Sequence, residues 1–354
     1  MGLLRSLAFT LVCWIATSLG AMGALGAMAA SVPLPDLSQG AELRVAYVHN
    51  PRLTGLMDDE LTLILDTARE VAREHFGITV RFHRPDKLGI DDLFQRFARG
   101  HFKTLGSHVY DFKHGRGDIA RLRKSYVQTL GRHKDDLQAQ IDYVTPYLLN
   151  PVASRDYQGL ADALVDTHLA RLSRLREERL ADGSPLLNDA PFNEYVYWAS
   201  LDLIRLQYEV VITNQLIASA EYLDAEVHAA IRGGISNGVT NHNGGARYLA
   251  TAVVSTYPFV GEDPTTRLLR NNEQYARRDA LRYAAYMLVH ELGHQLLHLG
   301  HPFGNRACVM TPPELLHFRA WVNQLSAAAC PLLGSGQAAP MQPGFIKFRM
   351  PTAP

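Results

Sequence analysis

The stretch from Tyr286 to His301 (YMLVHELGHQLLHLGH) constrains this chain more than any other. Ala280, Ala284, Met287, Leu288 and Leu292 recur at helical spacing, and Gly300 stands where such a helix ends. On a helix, residues four apart share a face. His290 and His294 therefore point to one place, with Glu291 beside them. Two converging imidazoles next to a carboxylate suit a zinc ion and a base that takes a proton from water. The expectation is one catalytic Zn2+ held by His290 and His294, with Glu291 as the catalytic residue.

Catalytic zinc takes three protein ligands and keeps a fourth position open. Three residues compete for the third place. His298 continues the row on the helix, but a further turn carries it along the axis and away from the ion. His301 follows Gly300, where a sharp turn brings the chain back under the metal. Glu314 comes later, on a helix expected from about Pro313 to Ala329 with prolines at its start. Zinc hydrolases whose third ligand is a glutamate use such a spacing.

Around this stretch lie 354 residues with 35 basic and 35 acidic side chains and 47% hydrophobic residues. That composition describes a globular chain and gives no electrostatic case for nucleic acid or an anionic membrane surface. At the N-terminus, Arg5 precedes an apolar run from Leu7 to Leu19 and a small-residue tract ending Ala27-Met28-Ala29. Residues 1–30 read as a signal peptide, which implies a secreted or periplasmic protein with no stable membrane insertion after cleavage. An uncleaved anchor is the alternative. Cys13 falls inside this apolar run, leaving Cys308 and Cys330, which an oxidising compartment favours as a disulfide if geometry allows.

Between these landmarks, Leu43–His49 alternates as a strand does, Asp58 and Asp59 open a helix that Gly77 closes, and Ile78–Phe82 is a second strand. The three resemble a parallel crossover unit. Residues 31–90 hold this unit. Residues 91–191 are charged and mostly helical, notably Ile119–Leu130 and Leu160–Leu180, and suit a helical insertion, a lid over a cleft or a partner surface alike. Their histidines, His101, His108, His114, His133 and His168, are scattered singly, as on solvated helix faces. Residues 192–333 hold a buried strand at Tyr208–Thr213 and glycine turns at Gly233-Gly234 and Asn237-Gly238. A strand at Tyr248–Thr256 follows, either at a sheet edge, where an extended peptide could add, or inside the sheet. Arg267–Leu299 is one long helix or a short one followed by a long one, and 334–354 is an irregular tail.

His290-Glu-Leu-Gly-His294, then Leu299-Gly300-His301, then Cys308-Val309-Met310 resemble the metzincin zinc peptidases, and most closely the archaemetzincins. The resemblance covers roughly Arg277 to Cys330. It implies His290, His294 and His301 as ligands, Glu291 as general base, and Met310 as the methionine of a turn beneath the metal. It also implies an α+β fold: a metzincin-like catalytic domain with a twisted mixed sheet, an active-site helix, a methionine turn and a C-terminal helix, formed by residues 31–90 and 192–333 with 91–191 as a helical insertion. The sequence departs from the clan in having Leu297 at a glycine position and one extra residue between His294 and His301. Pro302 and Leu333 replace two of the four cysteines that hold a second, structural zinc in archaemetzincins, which implies loss of that site and a disulfide between Cys308 and Cys330. The implied function is a zinc metallopeptidase acting on a peptide or protein substrate. Its alternatives are a gluzincin-like hydrolase using Glu314 and a secreted zinc-containing binding protein without turnover.

Overall fold

A computed structural model describes residues 36–97, 110–111, 114–131, 137–187, 197–198, 201–204, 206–218, 231–237, 251–297, 299, 305–327 and 329–330. The expected signal peptide, the tail 334–354, and His298, Gly300 and His301 lie outside the described residues.

The chain opens with β1 (Ala41–Leu43) and β2 (Val45–His49), one extended run interrupted at Arg44. Helix α1 (Asp58–Phe76) follows. Three acidic residues in its first turn oppose the helix dipole, and Gly77, at φ 68°, closes it in the left-handed conformation that glycine adopts without a Cβ penalty. Next come β3 (Val80–Phe82), β4 (Asp86–Gly89) and the short helix α2 (Ile90–Gln95). β1 and β3 pair in parallel, so the crossover is present. The pair β5 (Tyr110–Asp111) and β6 (Arg116–Gly117) precedes α3 (Ile119–Leu130), α4 (Leu137–Val144) and α5 (Tyr157–Glu177). β7 (Val210–Thr213), β8 (Gly234–Asn237) and β9 (Thr251–Ser255) lead into α6 (Tyr257–Val260), α7 (Pro264–Leu269), α8 (Arg277–Leu297) and α9 (Phe318–Gln324).

The main sheet has the order β4-β2-β7-β9-β8. β4, β2, β7 and β9 run parallel, and β8 runs antiparallel to β9 at the edge. Parallel strands need cover on both faces. One face, with Val45, Tyr47, Val210, Ile212, Ala252 and Val254, packs in a cluster with α1 and α8. The other, with Ala46, Val48, Val211, Ile235 and Val253, packs on α2, Trp198 and Leu201. This is a mixed α/β architecture with a mostly parallel sheet. Among the described residues no helix is long and apolar enough to cross a membrane.

Within 91–191, α3 and α5 pack together, and Arg123 reaches Asp162 at 2.7 Å and Asp166 at 2.6 Å across them. Leu122, Tyr126, Leu160 and Leu164 join the same buried cluster as α1 and α8. Beyond α5, the Glu178 carboxylate accepts from the Thr265 backbone N–H at 3.0 Å, at the start of α7.

The strand at Tyr248–Thr256, which could lie at an edge or inside the sheet, is described as β9 and lies inside it, paired with β7 on one side and β8 on the other. Three expectations need correction. Gly234–Asn237 is a strand, although its glycines read as turn chemistry. The helix expected from Pro313 begins only at Phe318, since Leu315 takes φ 51°, which a right-handed helix cannot pass through. His168 is buried, its Nδ1 3.1 Å from the Tyr126 hydroxyl, and is no solvated face. His114 is exposed, and His101, His108 and His133 lie outside the described residues.

The two long helices are tied at their N-termini. Arg277 donates from Nε to Glu60 Oε1 at 2.7 Å and from Nη2 to Oε2 at 2.9 Å, and Glu60 also accepts from the Met57 N–H. The guanidinium holds the Glu60 carboxyl below its ordinary value of 4.5. A depressed carboxyl contributes its stability above the unfolded-state value and loses it as pH falls through the folded one. Arg277→Met should therefore cost about 2 kcal/mol at pH 7 in urea unfolding, for the loss of charged hydrogen bonds. The gap between the variant and the native chain should narrow once the pH falls below about 4.

Candidate metal centre

Helix α8 is enclosed on nearly every side. It packs along α1, crosses beneath β9 and β8, and meets α6 and α9 at its flanks. A helix in that position needs apolar residues all round rather than one stripe. Val289, Leu292, Leu296 and Leu297 are buried, and so are His290 and Glu291. Polar side chains sunk in such surroundings need specific partners.

His290 Nδ1 lies 2.9 Å from the Val309 carbonyl, and His294 Nδ1 lies 2.6 Å from the Leu299 carbonyl. A carbonyl can only accept, so each Nδ1 carries its proton and each neutral ring turns an Nε2 lone pair outward. Those two Nε2 atoms are 3.2 Å apart. Two lone pairs at that distance repel each other unless a proton or a cation lies between them. Two nitrogens each about 2.0–2.1 Å from a tetrahedral zinc ion are about 3.3 Å apart. The pair therefore fits such an ion. Burial, reinforced by His294 alongside, pushes the His290 pKa down to about 3, which keeps the imidazole in its neutral, ligating form.

The carbonyl that orients His290 belongs to a tight turn. Thr311 N–H donates to the Cys308 carbonyl at 2.9 Å, and Trp321 Nε1–H donates to the Thr311 carbonyl at 2.7 Å. Cys308 and Cys330 form a disulfide, with sulfurs 2.10 Å apart, that joins this turn to the segment after α9. The turn also delivers Met310, 1% exposed, beneath α8. Gly293 makes room for it: a Cβ there would lie 2.2 Å from Met310 Sδ and 2.9 Å from Phe76 Cζ. Gly293 stands between the two histidines in sequence, so Met310 packs against α8 within one turn of both.

Glu291 faces the sheet edge. Ser236 on β8 donates its hydroxyl to Glu291 Oε2 at 2.7 Å, and Ser236 Oγ also lies 2.9 Å from the Glu291 carbonyl. Burial lifts the Glu291 carboxyl to about 7, against the lowering effect of Ser236 and of Arg232.

Compared with known protein families, curated proteins and solved structures, the chain matches none. The reading of this centre therefore stands on its own geometry. Among the described residues no group of three His, Cys, Asp or Glu gathers to hold a metal ion. Of the candidates for a third ligand, His301 and His298 lie outside the described residues. Glu314 sits in the turn before α9, its carboxylate 2.7 Å from Arg306. The Leu299 N–H returns to the Gly293 carbonyl at 3.1 Å, so the chain turns at the end of α8. A surface cleft of about 350 Å³, lined by Arg44, Asp86, Arg96, Gln207 and Tyr208, contains none of these residues. Its Arg44 is engaged with Glu209 and its Tyr208 with Asp86.

Sequence reasoning missed the partners of the centre. The carbonyls of Val309 and Leu299 leave no side-chain signature. Ser236 could have been found only by reading Gly234-Ile-Ser-Asn237 as a short alternating strand, with its small residues turned to one face.

Gly293→Ala should destabilise the fold by about 1–3 kcal/mol through overpacking. Thermal unfolding of Gly293→Ala/Met310→Ala should show less than the sum of the two single losses, because removing the Met310 side chain vacates the space the new methyl needs. Strict additivity would mean that the two residues do not share that space.

Proposed function

We propose that the chain is a zinc-dependent metallopeptidase of the metzincin kind, exported by way of residues 1–30. The observation that carries this reading is the pair of Nε2 atoms 3.2 Å apart, each ring fixed through Nδ1 by a main-chain carbonyl, with Glu291 one residue from His290. The methionine beneath Gly293 and the chain turn at Leu299 support the metzincin form of the site over the glutamate-ligand form.

His290, His294 and His301 would hold the metal. His301 is favoured because the chain turns two residues before it, whereas the Glu314 carboxylate is taken up by Arg306. When bound, zinc supplies a Lewis acid that polarises the scissile carbonyl and lowers the pKa of a water molecule from about 16 toward about 7. Glu291 takes the proton from that water and passes it to the leaving amine. Its buried position keeps bulk water from competing for the proton. Val309 and Leu299 hold the imidazoles in the tautomer that ligates, and Met310 supports the floor beneath them.

A peptide substrate has a natural place beside β8. That strand is the sheet edge, runs antiparallel to its neighbour, and carries Ser236 against Glu291. An extended peptide adding to it by backbone hydrogen bonds would bring its carbonyls past the carboxylate.

Glu291→Gln should retain one zinc per chain and lose about 10²- to 10⁴-fold in hydrolysis of a casein-like protein, the range expected for removal of a general base. Activity persisting near the native rate would sink the assignment. Zinc titration against a chelator separates the third-ligand candidates. His301→Ala should weaken binding by more than about 100-fold, beyond the loss from removing a residue that merely supports a ligand. Glu314→Ala should bind as the native chain does. The reverse pattern would move the ligand to Glu314.

A further inference from the structure

The strand β8 does more than end the sheet. Along β8 the side chains alternate: Ile235 enters the cluster on the far face, which turns Gly234 and Ser236 toward α8. Both meet Glu291. A Cβ at Gly234 would lie 2.2 Å from Glu291 Oε1 and 2.8 Å from Cδ, so the carboxylate rests on bare backbone at that point. Ser236 Oγ takes the other oxygen at 2.7 Å. One oxygen is confined by the absence of a side chain and the other by a hydroxyl two residues along the same strand.

We infer that Ser236 is a positioning residue for Glu291, holding the carboxylate in one place against β8. This rests on the reading of Glu291 as general base. The hydroxyl has one proton and two lone pairs, and two acceptors lie within its reach: Glu291 Oε2 and, at 2.9 Å, the Glu291 carbonyl. The nearer of the two is Oε2, and a serine proton pointed there fixes that oxygen against β8. A glutamate without this partner has three side-chain torsions to fix at each step, and an error of about 1 Å in placing a reacting group costs on the order of 100-fold in rate.

Ser236→Ala, Ser236→Thr and the native full chain, each loaded with zinc, provide the test. Ser236→Ala should keep one zinc per chain and the native KM while kcat falls about 10- to 100-fold. Ser236→Thr keeps the hydroxyl and should recover most of the lost kcat. A serine that only stabilised the fold would lower the unfolding midpoint and leave kcat alone. A second readout does not depend on turnover. In urea unfolding of the full chain, Ser236→Ala should lower the folded-to-unfolded ratio about tenfold when Glu291 is present, and less than about twofold in a Glu291→Ala background. Native kcat in Ser236→Ala, or equal losses in the two backgrounds, would overturn the proposal. If the native, zinc-loaded chain hydrolyses no peptide, the peptidase reading falls instead, and the unfolding cycle alone decides whether Ser236 holds the carboxylate.

Discussion

The contact between Gly293 and Met310 is the constraint on which the rest of the centre depends. Helix α8 can carry two inward histidines only if something rigid lies beneath them, and the missing side chain at Gly293 lets the Cys308–Thr311 turn come that close. The same approach places the Val309 carbonyl at His290 Nδ1. Packing and hydrogen bonding are thus set by one local geometry. Loosening the turn would free the ring and move the methionine together. The disulfide and the Trp321 indole brace that turn, and the indole also stands edge-on to the His290 ring.

On the opposite side of α8 the sheet edge plays a comparable part. Parallel strands β2, β7 and β9 are buried on both faces and supply a stiff platform, while β8, among the described residues, is paired on one side only. Small residues at Gly234 and Ser236 let the helix and this edge approach until Glu291 is enclosed. A side chain at Gly234 would push the strand away and open the carboxylate to water. Glu291 and the two imidazoles are therefore oriented from different sides: the carboxylate by strand β8, and the imidazoles by carbonyls of the chain after the helix.

Much of this was legible along the chain. The helix bearing His290, Glu291 and His294 follows from its period, and α1 follows from its acidic start and Gly77. The disulfide pair followed from there being only two cysteines beyond Cys13. Other features were not legible. β8 hid behind its glycines, because a residue chosen for close packing looks the same in sequence as one chosen for a turn. The helix expected from Pro313 was cut short by the left-handed Leu315, a conformation that no residue type there announces. His168 looked like one more solvated histidine, since nothing local shows that Tyr126, on another helix, covers it.

The sequence by itself determined the pieces whose causes are local: which segments are helices, that two imidazoles share a face, and that a carboxylate lies next to them. Only the tertiary structure decided how those groups are held. Main-chain carbonyls select the tautomers, a glycine admits the methionine, and a serine from a strand fifty-five residues earlier grips the carboxylate. The physical reason is that period and capping act over one or two turns of chain. Orientation of a buried polar group depends on whichever distant backbone the packing brings within hydrogen-bond reach.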